Sequence, residues 1–235
     1  MTTPTLEPAQ HTAARIAGLL YLLTNATAMF AFWVRGQVIE RGDATETAAN
    51  ILASERLYRI GIAVELLTVA GVIPLVVALY VVLRPVGRGL GLLATFWRLA
   101  ENFVLAVAPM CPLAALVLLD DSPFLADIDP GQLQALAYAL LRLHGSAFRI
   151  GFLFLGLGST VFAVLWLRSR YVPRALAVLG IFASALLAAA SAALLAFPGL
   201  LAGVGLAYMA PMGVFELGLG AWLLVRGIRE PARPR

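Results

Sequence analysis

The chain alternates long apolar runs with short polar connections. A run of about 20 apolar residues is long enough to cross the hydrocarbon core of a bilayer as a helix. Six such runs occur, at 16–34, 58–83, 90–119, 146–167, 174–197 and 201–225. The pattern predicts an all-α, polytopic helical bundle with six transmembrane helices, built as a single membrane domain over residues 1–235.

Two connections carry helical signals of their own. Asp43 precedes Glu46 by three residues, which is typical of an N-capped helix and predicts a short extracytoplasmic helix over 43–54. An amphipathic stretch, 131–145, precedes the fourth apolar run. A continuous helix over 131–168 would be about 57 Å long, which exceeds the bilayer core. Its first part is therefore expected to lie in, or project beyond, the outer headgroup region.

Arginines at the ends of the runs predict the orientation. The segments LRPVGRG, RSRYVPR and RGIREPARPR are rich in arginine, whereas DDSPFLADIDPGQ carries four aspartates and no base. Because cytoplasmic loops are enriched in Lys and Arg, the three basic segments are expected in the cytoplasm, with both chain ends. The prediction is a multi-pass protein of the bacterial inner membrane.

Composition agrees with a lipid environment. The chain is 61% hydrophobic and 13% charged, far more apolar than a soluble domain. The net charge of +4 comes from arginines at helix ends, so no nucleic-acid surface is predicted. The lone cysteine, Cys111, cannot form an intramolecular disulfide, and no metal or cofactor motif is present. The expected partner is the lipid bilayer; the sequence leaves the oligomeric state open.

Three acids interrupt the apolar runs. The stretch FWRLAENF, 96–103, places Arg98, Glu101 and Asn102 near the middle of the third run. An ionisable residue at the bilayer centre costs about 2.5–3.5 kcal/mol on insertion scales, so each needs a reason. Glu216 is also expected near the midplane, and Glu65 about 10 Å below the outer surface. Glu216, Glu65 and Glu101 are the candidate catalytic carboxyl groups.

Bases and amides of the other runs are candidates for the same interior. The candidates for substrate binding or for a polar network are Arg98, Asn102, His144, Arg149, Arg142 and Asn25. Three bases and a histidine would balance three acids in a closed polar core. A purely structural network is the alternative: Arg98 could pair with Glu101, and Glu65 with Arg59 or Arg149.

Two functions follow from this core. Glu216 has no charged neighbour on its own helix, and if it lies away from the arginines it is expected to be a protonated proton donor. The aromatic residues Phe96, Trp97, Tyr208 and Phe215 could stabilise cations through their π faces. We therefore expect an enzyme acting on a lipophilic, isoprenoid-like substrate, as a terpene cyclase-like isomerase or lyase. The alternative is a small-solute or proton-coupled transporter, or a membrane sensor, in which Arg142 and Arg149 draw an anion from outside.

Nearly the whole chain resembles an uncharacterised bacterial membrane family that is catalogued as a domain of unknown function. The resemblance rests on segments such as ARIAGLLYLLTNATAMFA, GDATETAANILASERLYRIGIAVELL and FELGLGAWLLVRGIRE. It implies six helices. It also implies that the family has an arginine at the position of Arg98, a histidine at that of His144 and an acid at that of Glu216. The family often has Gln where Glu101 stands, so the resemblance implies no role for Glu101. In size and in its early and late acids, Glu65 and Glu216, the chain is also similar to fungal membrane-bound meroterpenoid cyclases.

Overall fold

The computed structural model describes residues 8–120, 122–197, 199 and 207–229. Within these ranges the regular structure is entirely helical. The α-helices are α1 (Pro8–Val38), α2 (Ala44–Ala53), α3 (Glu55–Leu83), α4 (Arg88–Val107), α5 (Met110–Leu118), α6 (Pro130–Ser169), α7 (Arg174–Ala196) and α8 (Ala210–Val225). Short 3-10 turns cover Pro123–Leu125 and Ala207–Met209.

Six segments are long and apolar enough to cross a membrane. They are Pro8–Val38, Glu55–Leu83, Arg88–Leu118, Pro130–Ser169, Arg174–Ala196 and Ala207–Val225. The prediction of an all-α, six-span membrane protein is therefore confirmed. Residues 201–206 of the sixth predicted run lie outside the described residues. An even number of spans places the two described chain ends on one side of the bilayer.

Side-chain caps fix the starts of the two helical segments that the sequence predicts to be extracytoplasmic. The carboxylate of Asp43 accepts from the backbone N–H of Glu46 at 2.9 Å and begins α2. Asp129 accepts from the N–H of Gln132 at 3.1 Å, and Pro130 follows at the first helical position of α6. With 40 residues, α6 is about 60 Å long and extends well beyond the bilayer core.

The third span is broken, which its mean hydropathy did not predict. Helix α4 ends at Val107 and α5 begins at Met110, whereas the apolar run predicted one helix over 90–119. Pro109 stands at the break. Because proline lacks a backbone N–H and its ring clashes with the preceding turn, it ends the hydrogen-bond ladder there.

The six spans form a closed ring in chain order. Helix α1 packs on α3, α3 on α4, α4 on α6, α6 on α7, α7 on α8, and α8 returns to α1. Glycines allow the closest approaches, since small residues let membrane helices meet backbone to backbone. A Cβ atom on Gly18 would lie 2.4 Å from the backbone N of Leu224, and one on Gly156 would lie 2.6 Å from that of Ala188.

Two apolar cores flank a polar layer inside this ring. The smaller core lies at the predicted outer end and includes Tyr58 and Ile62 of α3. The larger core takes in α3 from Val72 onward and extends along α7 and α8 to Leu194 and Tyr208. Glu65 and Val69 stand between the two cores on α3. On this helix the layer that holds the candidate site is thus bounded by apolar side chains on both sides.

Candidate functional site

The polar layer contains two clusters at different depths. The inner cluster consists of Tyr21 and Asn25 of α1, Arg98 and Glu101 of α4, and Glu216 of α8. The outer cluster consists of Arg35 of α1, Glu65 of α3 and His144 of α6. Asn25 and Arg35 are ten residues apart on α1, about 15 Å along the helix. Glu65 therefore does not share a site with Glu101 and Glu216.

A buried ion pair forms the base of the inner cluster. Nη1 of Arg98 lies 3.0 Å from Oε2 of Glu101, one turn away on α4. The two residues are only 3% and 4% exposed. Nη1 of Arg98 also donates to Oγ of Ser159 on α6 at 3.5 Å. The Nε of Arg98 has no hydrogen-bond partner within the described residues. The guanidinium therefore retains capacity for a further acceptor.

Glu216, on α8, lies within electrostatic range of the same guanidinium but forms no ion pair with it within 4 Å in the described part of the chain. Its Oε2 accepts from Nδ2 of Asn25 at 3.2 Å. Its carboxyl group interacts electrostatically with Arg98, as does that of Glu101. Glu216 and Asn25 are half-buried, whereas Arg98 and Glu101 are buried. The condition that Glu216 lies away from the arginines is thus not met, and Glu216 is the more accessible of the two acids.

Charge balance in the inner cluster favours one bound proton. Two carboxyl groups and one guanidinium carry a net charge of −1 when all are ionised. An uncompensated charge at this depth is costly, because neither lipid nor the apolar cores can solvate it. The cluster becomes neutral when Glu101 and Glu216 share one proton. Loss of that proton returns the cluster to a net charge of −1, so the cluster is expected to take a proton back readily.

Asn102 links the two clusters through the backbone of α3. Its Nδ2 donates to the carbonyl oxygen of Val69 at 3.1 Å, and the side chain is buried. Val69 lies one helical turn from Glu65 on α3, and Asn102 adjoins Glu101 on α4. The amide therefore holds α3 against α4 between the two depths.

The outer cluster ties three spans together. Nε2 of His144 lies 2.9 Å from Oε1 of Glu65, and Nη2 of Arg35 lies 3.6 Å from Oε2 of Glu65. Nη1 of Arg35 also lies 3.3 Å from Nδ1 of His144. The Arg35 guanidinium is 4.5 Å from the ring centre of Phe148, within the range of a cation–π contact. A cavity of about 20 Å³ beside these groups is large enough for one water molecule.

Arg35 is the functional residue that the sequence interpretation missed. It followed the first predicted run, 16–34, and looked like an arginine at a helix end. The helix continues to Val38, and Ala31, Val34 and Val38 are buried along it. This continued spacing of apolar residues was the available signal that Arg35 belongs to a buried turn.

The prediction that Glu65 would pair with Arg59 or Arg149 is wrong. Arg59 instead donates to Oε1 of Glu55, four residues earlier, at 2.6 Å. Arg142 is exposed and Arg149 is half-buried, and neither has a carboxylate partner within 4 Å in the described part of the chain. The bases that balance the buried acids are Arg98 and Arg35.

The aromatic residues expected around the acids lie elsewhere. Phe96 is 67% exposed and faces outward from the bundle. Trp97 stacks on Phe154 with the ring centres 5.6 Å apart. Phe215 packs on α7, where a Cβ atom on Gly180 would lie 2.4 Å from its ring. Tyr208 is buried and interacts electrostatically with Arg149. None of these contacts places an aromatic face on Glu216.

Comparisons with known proteins bear on the family alone. Residues 16–227 match the profile of a family described as "Domain of unknown function (DUF4386)". No curated protein and no solved structure matches the chain significantly. Among the described residues there is also no group of three or more His, Cys, Asp or Glu side chains that could hold a metal ion.

Proposed function

Since the chain belongs to the DUF4386 family, whose description names no activity, we propose a function from the geometry of the inner cluster. The protein is an intramembrane enzyme that transfers a proton between Glu216 and a lipophilic substrate. The observation that carries the proposal is the half-buried Glu216 carboxyl, held by Asn25 in front of the buried Arg98–Glu101 pair.

The neighbours of Glu216 suit it to general acid catalysis. When the protonated carboxyl group gives its proton to a substrate, negative charge develops on its oxygens. The Asn25 amide and the Arg98 guanidinium are already in place to stabilise that charge, so little reorganisation is needed. When the substrate returns a proton, the cluster regains neutrality. Glu101 acts through Arg98, as a positioning residue rather than a catalytic one.

The reaction class that fits is isomerisation or a lyase-type elimination on an isoprenoid-like substrate. In isomerisation a proton is added at one carbon and removed at another. In elimination a proton is given to the leaving group as its bond to carbon breaks, and a proton is taken from the neighbouring carbon, so in both reactions a single carboxyl group can serve the two steps. The terpene cyclase-like form of this hypothesis also needs aromatic faces for a carbocation. Because Phe96 faces outward and Trp97 and Phe215 contact other parts of the bundle, the proposal rests on proton transfer alone. Glu65 takes no part in the same step.

The proposal is tested by comparing organic extracts of membranes from one bacterial host. The host expresses wild type, Glu216→Gln or the control Glu55→Gln, whose side chain lies on the surface. In extracts from hosts that express wild type or Glu55→Gln, we expect a new lipid. It should be an isomer of a host prenyl compound, or that compound after loss of a small group. Glu216→Gln should lose it while eluting and melting like wild type. Retention of that lipid by a folded Glu216→Gln protein would overturn the proposal.

Proton-coupled transport of a small solute, or sensing of one, is the second candidate. The observation that favours it is the outer cluster, which places a second set of ionisable groups at another depth of the same ring. Extracts that are identical with and without the protein would favour this candidate. Solute uptake by proteoliposomes would then be expected to require both Glu216 and Glu65, and uptake equal to that of empty vesicles would exclude it.

A further inference from the structure

The hydrogen bonds of His144 define its protonation state. A guanidinium nitrogen carries only donors. Nη1 of Arg35, at 3.3 Å, can therefore hydrogen-bond to Nδ1 of His144 only if Nδ1 accepts. A neutral imidazole then carries its single hydrogen on Nε2, which is the atom that faces Oε1 of Glu65 at 2.9 Å. The geometry thus requires a neutral ring with its hydrogen on Nε2.

Charged and titratable groups surround this ring on the small cavity. Arg35 reaches it from α1, and Glu65 and Tyr58 reach it from α3; Pro112 of α5 completes that side. The Tyr58 hydroxyl is directed away, since it donates to the carbonyl oxygen of Pro112 at 3.3 Å. With a neutral His144, the guanidinium and the Glu65 carboxylate balance each other. One water molecule in the cavity could deliver a proton to the ring.

We propose that His144 is a proton-operated latch between α1 and α6. A proton that binds to Nδ1 converts this atom from an acceptor into a donor. Two donors and two positive charges would then face each other at the Arg35–His144 contact, which is repulsive. The Nε2–H bond to Glu65 becomes charge-assisted at the same time and strengthens. Protonation therefore breaks the Arg35–His144 hydrogen bond, so that Arg35 keeps the weaker cation–π contact with Phe148 on α6, and it leaves α3 attached to α6.

Neighbouring contacts limit the release to the turn around Arg35. Helix α1 stays on α3 where Val34 packs on Gly61, since a Cβ atom on Gly61 would lie 2.8 Å from Cγ1 of Val34. The connection after α1 is held on α6 by the N–H of Gly42, which donates to the hydroxyl of Tyr138 at 2.8 Å. Neither contact involves His144. The latch therefore opens a gap between α1 and α6 beside the cavity. It does not depend on the function proposed for the inner cluster.

The hydrogen position can be tested directly, because the chain has two histidines. In a His11→Gln variant, the imidazole nitrogen NMR signals come from His144 alone. At pH 8 we expect a hydrogen on Nε2 and none on Nδ1, and at pH 5, where the proposed second proton is bound, a hydrogen on both. A hydrogen on Nδ1 in the neutral wild-type ring would overturn the proposal.

The release is tested with spin-label distances in a Cys111→Ala background. Labels at Phe32 and Ala139 measure the distance between α1 and α6. Labels at Leu67 and Ala139 measure the distance between α3 and α6. All three positions are exposed. From pH 8 to pH 5 we expect the first distance to lengthen and the second to stay constant. Arg35→Gln should show the longer distance at both pH values. His144→Gln, which cannot be protonated, should show no change with pH. A constant first distance in wild type, or equal lengthening of both, would overturn the latch.

Discussion

Arg98 is the residue on which the electrostatics of the inner cluster depend. Its guanidinium faces the carboxyl groups of Glu101 and Glu216 in an interior where charge is poorly solvated. Removing one partner of a buried pair is far more costly than removing both, because it leaves an unpaired charge. The two ends of the pair are not equivalent here, since two acids compete for one base.

Substitution of the two partners should therefore have unequal effects. Arg98→Gln leaves two carboxyl groups without a base and is expected to cost about 3–5 kcal/mol of stability. Glu101→Gln leaves one acid and one base, because Glu216 can pair with Arg98, so its cost should be clearly smaller. Thermal unfolding of the purified proteins in one detergent measures the difference. The double variant Arg98→Gln with Glu101→Gln should lie between them. Equal losses for the two single variants would contradict this charge count.

At this scale the sequence predicted which residues are buried better than which residues pair. The spacing of Arg98, Glu101 and Asn102 predicted a polar face on one helix, and the three side chains are buried together. The partners of Glu65 were not predictable in the same way. Long side chains such as Arg35 reach their partners across the ring, and the rotation of each helix about its own axis decides which atoms meet.

The seam between α1 and α8 positions Glu216. Its closest point is the pair Gly18 and Gly220, where the two backbones meet. The Asn25–Glu216 hydrogen bond lies on the same two helices, about two turns of α1 away. Backbone atoms cannot rotate aside as a side chain can, so the separation of these helices is fixed by the absence of a Cβ atom.

A methyl group at Gly18 should separate the two helices. The added Cβ would lie 2.4 Å from the backbone N of Leu224 and 2.7 Å from the carbonyl O of Gly220, so α8 must move. Overpacking of this kind typically costs about 1–3 kcal/mol. Gly18→Ala should therefore melt at a lower temperature than wild type and lose the activity that depends on Glu216. Gly36→Ala on the same helix, where nothing lies within 4 Å of the new atom, is the matched control. A Gly18→Ala protein as stable as this control would show that the seam adapts.

The helix break in the third span shows which structural features mean hydropathy detects and which it does not. Apolar runs predicted six spans because transfer from water to lipid depends on composition over about 20 residues. The break between α4 and α5 depends on a missing N–H at Pro109, which leaves the mean hydropathy unchanged. Pro109 could have been used to predict this break from the sequence. The closure of the six spans into a ring depends on glycine contacts between distant segments, which no local pattern contains.

The whole molecule is held together at one end by polar contacts between spans. Nε2 of Gln10 in α1 donates to the carbonyl oxygen of Val82 in α3 at 3.1 Å. The N–H of Arg229 donates to the carbonyl oxygen of Tyr171 at 3.0 Å, and its guanidinium lies 4.5 Å from the ring centre of Trp222. This is the end at which the arginine-rich connections lie. It is the end that the charge distribution predicts to be cytoplasmic.

Orientation in the membrane can be measured with cysteines in a Cys111→Ala background. Glu46→Cys lies on α2, at the end with few arginines, and Gly89→Cys lies in the first turn of α4, next to Arg88. Both positions are exposed, and a side chain at position 89 meets nothing within 4 Å. In intact spheroplasts, a membrane-impermeant maleimide should label Glu46→Cys, and it should label Gly89→Cys only after the membrane is opened. The physical reason is that arginine-rich connections are retained in the cytoplasm during insertion.

The reverse labelling pattern would place the outer cluster and its cavity on the cytoplasmic side, so that His144 would respond to internal rather than external pH. Labelling of both sites without opening the membrane would contradict the crossing of the membrane by α3, the one span between the two positions.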